Sequence, residues 1–270
     1  MRGSVWYPRK NQPRMRDPIL DVQDLNIYYG PHHAVDSVSF SIGEGEIFGL
    51  LGPNGAGKTS TLSAIEGLLM AQSGTVRIAG HDIRERPAEA KARMGVQLQS
   101  TSFQGDLTIR EIVELYAGLY GISLTRDEID ERLRSIQLED ARNRRFSQLS
   151  GGQQQRISLL IATIHDPQLA LLDEPTTGLD PQSRRQLWSR IDTIKAAGKS
   201  ILLTTHSMEE AESVCDRIAI IDQGKIVATG TPAELIERFT SDERVQAVSR
   251  GPRVTLEDVF IGLTGSELRG

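Results

Sequence analysis

The sequence predicts an α/β protein built around a mostly parallel sheet. Short apolar segments alternate along the chain with longer segments of helical periodicity, and this alternation is typical of a sheet that helices cover on both faces. One apolar segment runs directly into a glycine-rich loop, residues 52–59, which in turn opens a helical pattern. Residues 99–160 are helical in pattern. These observations predict an α/β core into which a helical sub-domain is inserted.

The N-terminal part of the chain is predicted to be rich in strands. Apolar alternation between turn signals marks the first strands, and the third of them leads into the glycine-rich loop. The helix after this loop is expected to stop before Gly74, because glycine is frequent just past a helix end. The predicted elements are strands at 19–27, 34–42 and 46–51, a helix from 58 to about 71, and a strand at 75–79.

Helix starts and turn residues predict the elements of the remaining chain. Capping boxes, in which a Ser or Thr is followed three residues later by Glu, begin at Thr125, Ser207 and Thr231. No element is predicted for residues 240–270. The predicted elements are helices at 108–120 and 124–137, a strand at 169–172, a helix at 181–197, a strand at 200–204, a helix from 207, hairpin strands at 217–222 and 225–228 around Gln223-Gly224, and a helix from 231 to about 239.

Composition and charge exclude several classes of protein. Among the 270 residues, apolar stretches such as 157–164 fall far short of the roughly 18 residues that span a bilayer. The net charge is −5 although residues 1–18 carry +4, so the rest of the chain is acidic and is not expected to bind nucleic acid. The basic segment 1–18 is predicted to be a disordered tail, with contact to anionic lipid as the alternative. The single cysteine, Cys215, excludes an internal disulfide framework and is expected to be a core residue in a reducing cytosol.

The glycine-rich loop, GPNGAGKT, fits the pattern G-x-x-x-x-G-K-[ST]. Its glycines let backbone N–H groups close around phosphate oxygens. Lys58 is predicted to reach the β- and γ-phosphates, and Thr59 is predicted to reach Mg²⁺. A glycine-rich turn is the alternative, but the placement between strand and helix favours a phosphate loop. The predicted nucleotide contacts in this loop are Gly52, Asn54, Gly55, Ala56, Gly57, Lys58, Thr59 and Ser60.

A second helix start, LSGGQ at residues 149–153, is also expected to bind an anion through backbone N–H groups. Ser150, Gly151 and Gly152 precede a polar and then apolar run, and free N–H groups at a helix start attract an anion. One chain with two separate phosphate-facing helix starts is unusual.

Two carboxylates follow the apolar run 169–172. Asp173 and Glu174 are expected at the carboxyl end of a buried strand, where ligands collect in open α/β sheets. Asp173 is predicted to hold Mg²⁺ and Glu174 to polarise the attacking water. The alternative is that both are helix-cap or surface carboxylates.

With these motifs in this order, residues 19–239 resemble the ATP-binding cassette (ABC) family. The resemblance implies a P-loop NTPase (RecA-like) core with an antiparallel β sub-domain and the inserted α-helical sub-domain. It also implies that ATP and Mg²⁺ are the cofactors and that two copies form a head-to-tail homodimer. In that dimer the LSGGQ loop of one copy completes the ATP site of the other.

The resemblance assigns four further residues. Tyr29 matches the aromatic that stacks on adenine, with packing against the core as its alternative. Gln99 matches the Q-loop glutamine that joins the Mg²⁺ site to the helical sub-domain and takes part in catalysis; Gln97 competes for this role, and Leu98 replaces the usual proline. Asp180 matches the D-loop at the dimer interface, and a turn-forming Asp-Pro is its alternative. His206 matches the switch histidine that contacts the γ-phosphate.

The type of subunit is indicated by two further segments of the sequence. Residues 255–265, TLEDVFIGLTG, resemble the tail of drug-resistance exporter ATPases of the daunorubicin and doxorubicin type. Residues 139–148 lack the TEVGERG-like segment of fused-chain exporters. The chain is therefore predicted to be a separate ATPase subunit that powers a membrane permease from its cytoplasmic face, with residues 240–270 as an extension. A soluble ABC ATPase acting on ribosomes or DNA is the alternative; a phosphate-loop kinase or GTPase would leave LSGGQ without a purpose.

Overall fold

The computed structural model describes residues 17–97 and 103–265 as two sheets and ten α-helices. Most of the predicted basic tail, and also Gln99, lie outside these residues. The strands are β1 Leu20–Tyr29, β2 His32–Ile42, β3 Ile47–Leu51, β4 Ser73–Ile78, β5 His81–Asp82, β6 Met94–Gln97, β7 Leu169–Asp173, β8 Ser200–Thr205, β9 Arg217–Asp222 and β10 Lys225–Gly230. The helices are α1 Lys58–Ile65, α2 Pro87–Lys91, α3 Ile109–Leu119, α4 Arg126–Ser135, α5 Gly151–Ala162, α6 Pro181–Ala196, α7 Met208–Val214, α8 Pro232–Phe239, α9 Glu243–Val248 and α10 Leu256–Thr264.

The central sheet has six strands in the order β10-β9-β3-β8-β7-β6. Five of them are parallel, and only β10 runs antiparallel, to its hairpin partner β9. The strands β3 and β8 are buried along their whole length because helices cover both faces of the sheet. Helix α1 packs on one face and helix α6 on the other. The predicted α/β fold with a mostly parallel sheet is confirmed.

A second, antiparallel sheet has the order β2-β1-β4-β5 and packs beside the first. Its inward residues, such as Val22, Ile27 and Val38, belong to the same apolar cluster as Phe48 and Leu50 of β3. Helices α3, α4 and α5 enclose a separate apolar cluster. The antiparallel sheet and the helical segment therefore both match the expected architecture.

Helix α1 ends earlier than the sequence pattern predicts. It stops at Ile65 instead of about residue 71, because Gly67 adopts a left-handed conformation (φ 65°). The N–H of Gly67 then bonds to the carbonyl of Ala64, and the N–H of Leu68 bonds to that of Ser63. These two bonds form a Schellman motif, which satisfies the last helical carbonyls. Gly67 was the residue in the sequence that could have indicated this earlier end of the helix.

The last part of the chain adds two helices that sequence reasoning did not find. Val245 of α9 and Leu256 and Phe260 of α10 are fully buried and share the apolar cluster of α6 and β8. Helix α10 packs against α7, α8 and α9. The boundary placed at residue 239 stays a prediction. Cys215 lies in the same cluster, as expected, and burial raises the pKa of its thiol to about 12. Between residues 17 and 97 and between 103 and 265, no helix has the length and apolarity to cross a bilayer.

Candidate nucleotide site

The phosphate loop is held by close backbone packing at its two ends. A Cβ on Gly52 would collide with the carbonyl oxygen of Ile221 in β9, and one on Gly57 (φ 106°) would lie 2.5 Å from the carbonyl oxygen of Ala34. The N–H of Gly224, in the β9–β10 turn, donates to Ala56 at 2.9 Å. Glycine is thus required at both positions by contact, and at Gly57 also by its left-handed conformation. Asn54 and Gly55, between these two glycines, and Thr59, just after them, are exposed.

Lys58 folds back over this loop. Its Nζ donates to the carbonyl oxygens of Gly52 (2.6 Å) and Pro53 (3.2 Å), and the residue is buried. Burial lowers the pKa of Lys58, and the carboxylates of Glu174 and Asp173 partly oppose this shift. The ammonium group therefore lies within electrostatic range of both predicted acidic residues.

Asp173 and Glu174 follow β7, and Thr204 of β8 connects them. The Thr204 hydroxyl donates to Asp173 Oδ1 at 2.5 Å, and the same Oγ1 accepts from the backbone N–H of Glu174 at 3.0 Å. This Thr204 contact had no signal in the sequence beyond the position of the residue near the end of β8. It orients one carboxylate and the backbone of the next residue together.

Glu174 has a left-handed backbone, with φ of 45°. Such a conformation is uncommon and energetically costly for a residue with a side chain. Residues that adopt it are found more often at functional sites. Its Oε2 accepts from the Thr177 hydroxyl at 3.2 Å and lies 3.5 Å from Nδ1 of His206. The Glu174 carboxylate is only 17% exposed, whereas the His206 side chain is 44% exposed. The predicted pair of Glu174 and His206 is thus brought together by the ends of β7 and β8.

The LSGGQ segment begins helix α5 and packs against the start of α6. Ser150 caps α5, and its Oγ accepts from the N–H of Gln153 at 3.4 Å. Gly152 abuts Ser183, so that a Cβ would lie 2.7 Å from the Ser183 Cβ. Asp180 caps α6 and accepts from the Ser183 hydroxyl at 2.6 Å. These bonds keep the pKa of Asp180 low. The LSGGQ and D-loop motifs are therefore one packed unit, while an interface role of Asp180 stays a prediction.

Tyr29 is 51% exposed at the end of β1. Its hydroxyl lies 3.3 Å from Ser60 Oγ, in the first turn of α1. Tyr28 instead stacks on the His33 ring with centroids 3.9 Å apart. The exposure disfavours packing of Tyr29 against the core, and the stacking of Tyr29 on adenine stays a prediction.

Gln97 ends β6 and is 1% exposed, and its side-chain amide has no hydrogen-bond partner among the described residues. Gly95 lies on the same face of the strand and abuts the carbonyl of Ala162, so Gln97 faces helix α5. A buried amide without partners costs about 1–3 kcal/mol. Because Gln99 lies outside the described residues, the role predicted for Gln99 stays a prediction and Gln97 remains its competitor.

Two acidic residues were missed or misassigned by sequence reasoning. The predicted capping box at Ser207 is only half formed: Ser207 accepts from the N–H of Glu210, but the Glu210 carboxylate turns to the hydroxyls of Thr176 (2.7 Å) and Thr205 (3.2 Å). The buried carboxylate finds better-placed donors there than at the exposed cap. Burial, with a smaller contribution from Asp173, raises the pKa of Glu66 to about 7, and no sequence signal marked that residue.

A phosphate loop between β3 and α1, with two acidic residues at the end of β7 in the same parallel sheet, defines an α/β nucleotide-binding domain. Residues 35–177 match the model of the ABC transporter family, and this chain belongs to that family. The predicted ABC nucleotide-binding domain is thereby confirmed, and domains of this family bind ATP.

Relatives and solved structures agree with this assignment. The chain is 42% identical over 224 residues to the Nod factor export ATP-binding protein I of Paraburkholderia xenovorans (strain LB400), covering 82% of this chain and 74% of the relative. It is 37% identical to the protein of that name from Rhizobium etli, covering 90% and 78%. The fold matches the ATP binding subunit of an ABC transporter with a TM-score of 0.78 at 29% identity, covering 91% and 99%. An ATP-binding cassette in its ADP conformation matches with a TM-score of 0.75 at 25% identity, covering 86% and 98%.

Proposed function

We propose that this chain is the ATP-hydrolysing subunit of an exporter and that it drives a separate membrane permease. The observation that carries the proposal is the exposed start of α5. Ser150 and Gly151 are exposed, and among the described residues no hydrogen bond or ion pair joins residues 149–153 to the phosphate loop. In the proposed homodimer, a second copy brings the two loops together. The role in export is supported by the names of the relatives, which are Nod factor export ATP-binding proteins.

In the proposed head-to-tail homodimer, each ATP lies between two copies. One copy contributes the phosphate loop, the Asp173-Glu174 pair and His206, with Tyr29 against the adenine. The other contributes Ser150, Gly151 and Gly152: the Ser150 hydroxyl and the backbone N–H groups of the two glycines, at the start of α5, complete the phosphate cage. The contact between Gly152 and Ser183 supports this arrangement, because it packs the LSGGQ loop against α6, the helix that follows the D-loop of the same copy.

The donor set around the phosphate loop fits Mg²⁺. Asp173 supplies a carboxylate already oriented by Thr204, and the exposed Thr59 supplies a hydroxyl. Within residues 17–97 and 103–265, no three His, Cys, Asp or Glu side chains are grouped to hold a metal by themselves. Mg²⁺ in nucleotide sites normally uses one or two carboxylates, substrate phosphates and water. When bound, Mg²⁺ neutralises charge on the β- and γ-phosphates, and Gln99 is the further predicted contact.

Hydrolysis then proceeds by in-line transfer of the γ-phosphoryl group to water. Glu174 accepts a hydrogen bond from the attacking water and orients it, and His206, held beside the same carboxylate, donates to the γ-phosphate. Lys58 leaves the carbonyls of the loop and pairs with phosphate oxygens instead. Positioning and charge neutralisation supply most of the lowering of the barrier.

An apolar groove between the core and the helical segment is the proposed contact with the permease. Leu68 and Tyr120 line the groove, which has a volume of about 420 Å³, and Leu68 is 72% exposed. The neighbouring Met70 and Leu119 are also largely exposed. Exposed apolar side chains in such a group mark a binding surface. The proposed occupant is an apolar segment of the permease, and the proposed location of the subunit is peripheral, on the cytoplasmic face of the membrane.

Leu68→Glu tests the proposed coupling. We expect this variant to keep the ATP hydrolysis of the isolated subunit but to lose stimulation by the permease, because a charge in the groove must be desolvated on docking. The measurement is ATP hydrolysis in liposomes that contain the membrane protein encoded beside this chain. Val227→Glu, at an exposed apolar residue of β10, is the matched control and should keep the stimulation. Equal stimulation of both variants would exclude the groove, and a lack of stimulation of the unmodified chain by any such membrane protein would exclude the proposed function.

Tyr29→Ala is expected to weaken ATP binding by about 1 kcal/mol, or about fivefold, through lost stacking. Turnover at saturating ATP should change little, since the reacting phosphate is remote. The measurement is the ATP dissociation constant by titration calorimetry. Tyr29→Phe keeps the ring without the hydroxyl that faces Ser60, and Tyr28→Ala removes the neighbouring ring; both should bind as the unmodified chain does. Unchanged affinity of Tyr29→Ala would remove Tyr29 from the nucleotide site.

A further inference from the structure

A second polar cavity lies away from the nucleotide site, between the end of α4, the middle of α5 and α6. Its volume is about 280 Å³. We name it the arginine pocket after three of its lining residues. These residues and the main polar neighbours are Arg156, Arg185, Arg190, Gln137, Ser189 and Thr193.

The arginine pocket holds positive charge without a matching negative charge. Among the residues that the structure describes, no Asp or Glu lines it. Within the described part of the chain, Arg156, Arg185 and Arg190 form no ion pair with a carboxylate. Arg190 also borders a neighbouring cavity with Asp166, but the Asp166 carboxylate is paired with Lys199 at 2.8 Å. In a chain of net charge −5, such a cluster of unpaired guanidinium groups is unexpected.

Two of the three arginines are also partly withdrawn from water. Burial lowers the pKa of both Arg156 and Arg190, and no acidic group in residues 17–97 or 103–265 opposes the shift. Their Nε atoms are buried and lack hydrogen-bond partners within the described residues. Arg156 is anchored, since its Nη1 donates to the carbonyl of Ile136 at the end of α4 at 2.7 Å. The pocket therefore offers donors that the protein itself does not satisfy, although burying such donors is costly.

We propose that the arginine pocket binds a small free oxyanion of the phosphate class, either inorganic phosphate or a small phosphomonoester. The planar guanidinium group forms paired hydrogen bonds with phosphate oxygens, and such charge-assisted bonds are about twice as strong as neutral ones. An anion carrying about two negative charges would offset the repulsion among the three arginines. A volume of about 280 Å³ leaves room for a phosphate and a small organic group.

The position of the pocket gives the anion a structural consequence. Arg156 follows Ser150 by six residues, or about 9 Å along α5 at 1.5 Å per residue. Arg185 follows Asp180 by five residues along α6. A bound anion would therefore bridge the two helices whose first turns carry the LSGGQ and D-loop motifs, and would hold α5 against α6. This inference does not depend on the proposed export function.

The test is the dependence of thermal unfolding on phosphate at constant ionic strength, balanced with sodium chloride. It uses the full chain carrying Lys58→Ala, which weakens phosphate binding at the phosphate loop. We expect the unfolding midpoint to rise with inorganic phosphate. The added double substitution Arg185→Gln/Arg190→Gln should require at least about tenfold more phosphate for the same rise, because two charge-assisted contacts are lost. Arg126→Gln, at an exposed arginine near the start of α4, should behave as its parent.

The phosphate dependence, and not the midpoint in its absence, is the deciding quantity, since removal of repelling charges can itself stabilise the protein. An identical phosphate response with and without the double substitution would overturn the proposal. So would an equal rise with sodium chloride in place of phosphate. Glycerol 3-phosphate distinguishes the two sources: binding tighter than that of inorganic phosphate assigns a phosphomonoester, and binding no tighter assigns free phosphate.

Discussion

Glu174→Gln is expected to lower steady-state ATP hydrolysis by about 10² or more while ATP binding is retained. The substitution preserves the size of the side chain, and an amide oxygen can still accept from the Thr177 hydroxyl. What is lost is the carboxylate that orients the attacking water and faces His206 at 3.5 Å. Lys58, Thr59 and Asp173 are unchanged, so phosphate and metal binding should persist. An ATP-bound dimer is expected to accumulate.

The measurement combines steady-state hydrolysis with size-exclusion chromatography in the presence of Mg·ATP. Glu209→Gln is the matched control, because Glu209 is exposed on α7 and lies outside the proposed site. It should hydrolyse ATP at the unmodified rate. If Glu174→Gln also retained that rate, Glu174 would have no part in the chemistry, and its left-handed backbone would need a purely structural explanation.

Mixing two inactive variants, Lys58→Ala and Ser150→Ala, is expected to restore one working site per dimer. Lys58→Ala disables the phosphate loop of its own copy, and Ser150→Ala disables the loop that this copy lends to its partner. Each homodimer then has two damaged sites. In a mixed dimer, one site collects both lesions, and the other pairs an intact phosphate loop with an intact LSGGQ loop. This outcome follows from the two-fold symmetry of the interface.

The measurement is trapping of nucleotide in the presence of vanadate, with about one nucleotide expected per mixed dimer. Trapping is preferred to turnover because continuous cycling can require both sites. Native mass spectrometry would establish that mixed dimers form. If they form and trap nothing, Lys58 and Ser150 do not serve one site in trans, and the dimer mechanism is wrong.

Ser150→Ala also removes a helix cap, which by itself destabilises a helix by about 1 kcal/mol. Thr125→Ala controls for this effect, because Thr125 caps α4 in the same way, accepting from the N–H of Glu128. It should retain nucleotide trapping. Helix α5 should remain folded in Ser150→Ala, since Ile157, Leu159 and Leu160 are buried against the core.

The helix starts illustrate how far local sequence determines local structure. The capping boxes predicted at Thr125 and Thr231 are both present in full. Each needs only two residues three positions apart, so the sequence contains the whole interaction. The box at Ser207 is incomplete because Glu210 has a competing partner at Thr176, 34 residues away. No local pattern can report a competitor that only the folded chain brings near.

The candidate nucleotide site likewise combines features that local sequence determines with features that only the tertiary structure determines. The sequence by itself determined the phosphate loop, the helix start at Ser150 and the acidic pair after β7, because the chemistry of each lies within a few consecutive residues. The tertiary structure alone placed Thr204 between Asp173 and Glu174, and Ser183 against Gly152. These contacts depend on the order of strands in the sheet and on the packing of α5 against α6. Both properties arise from burial of apolar surface over the whole chain, and short-range patterns do not encode them.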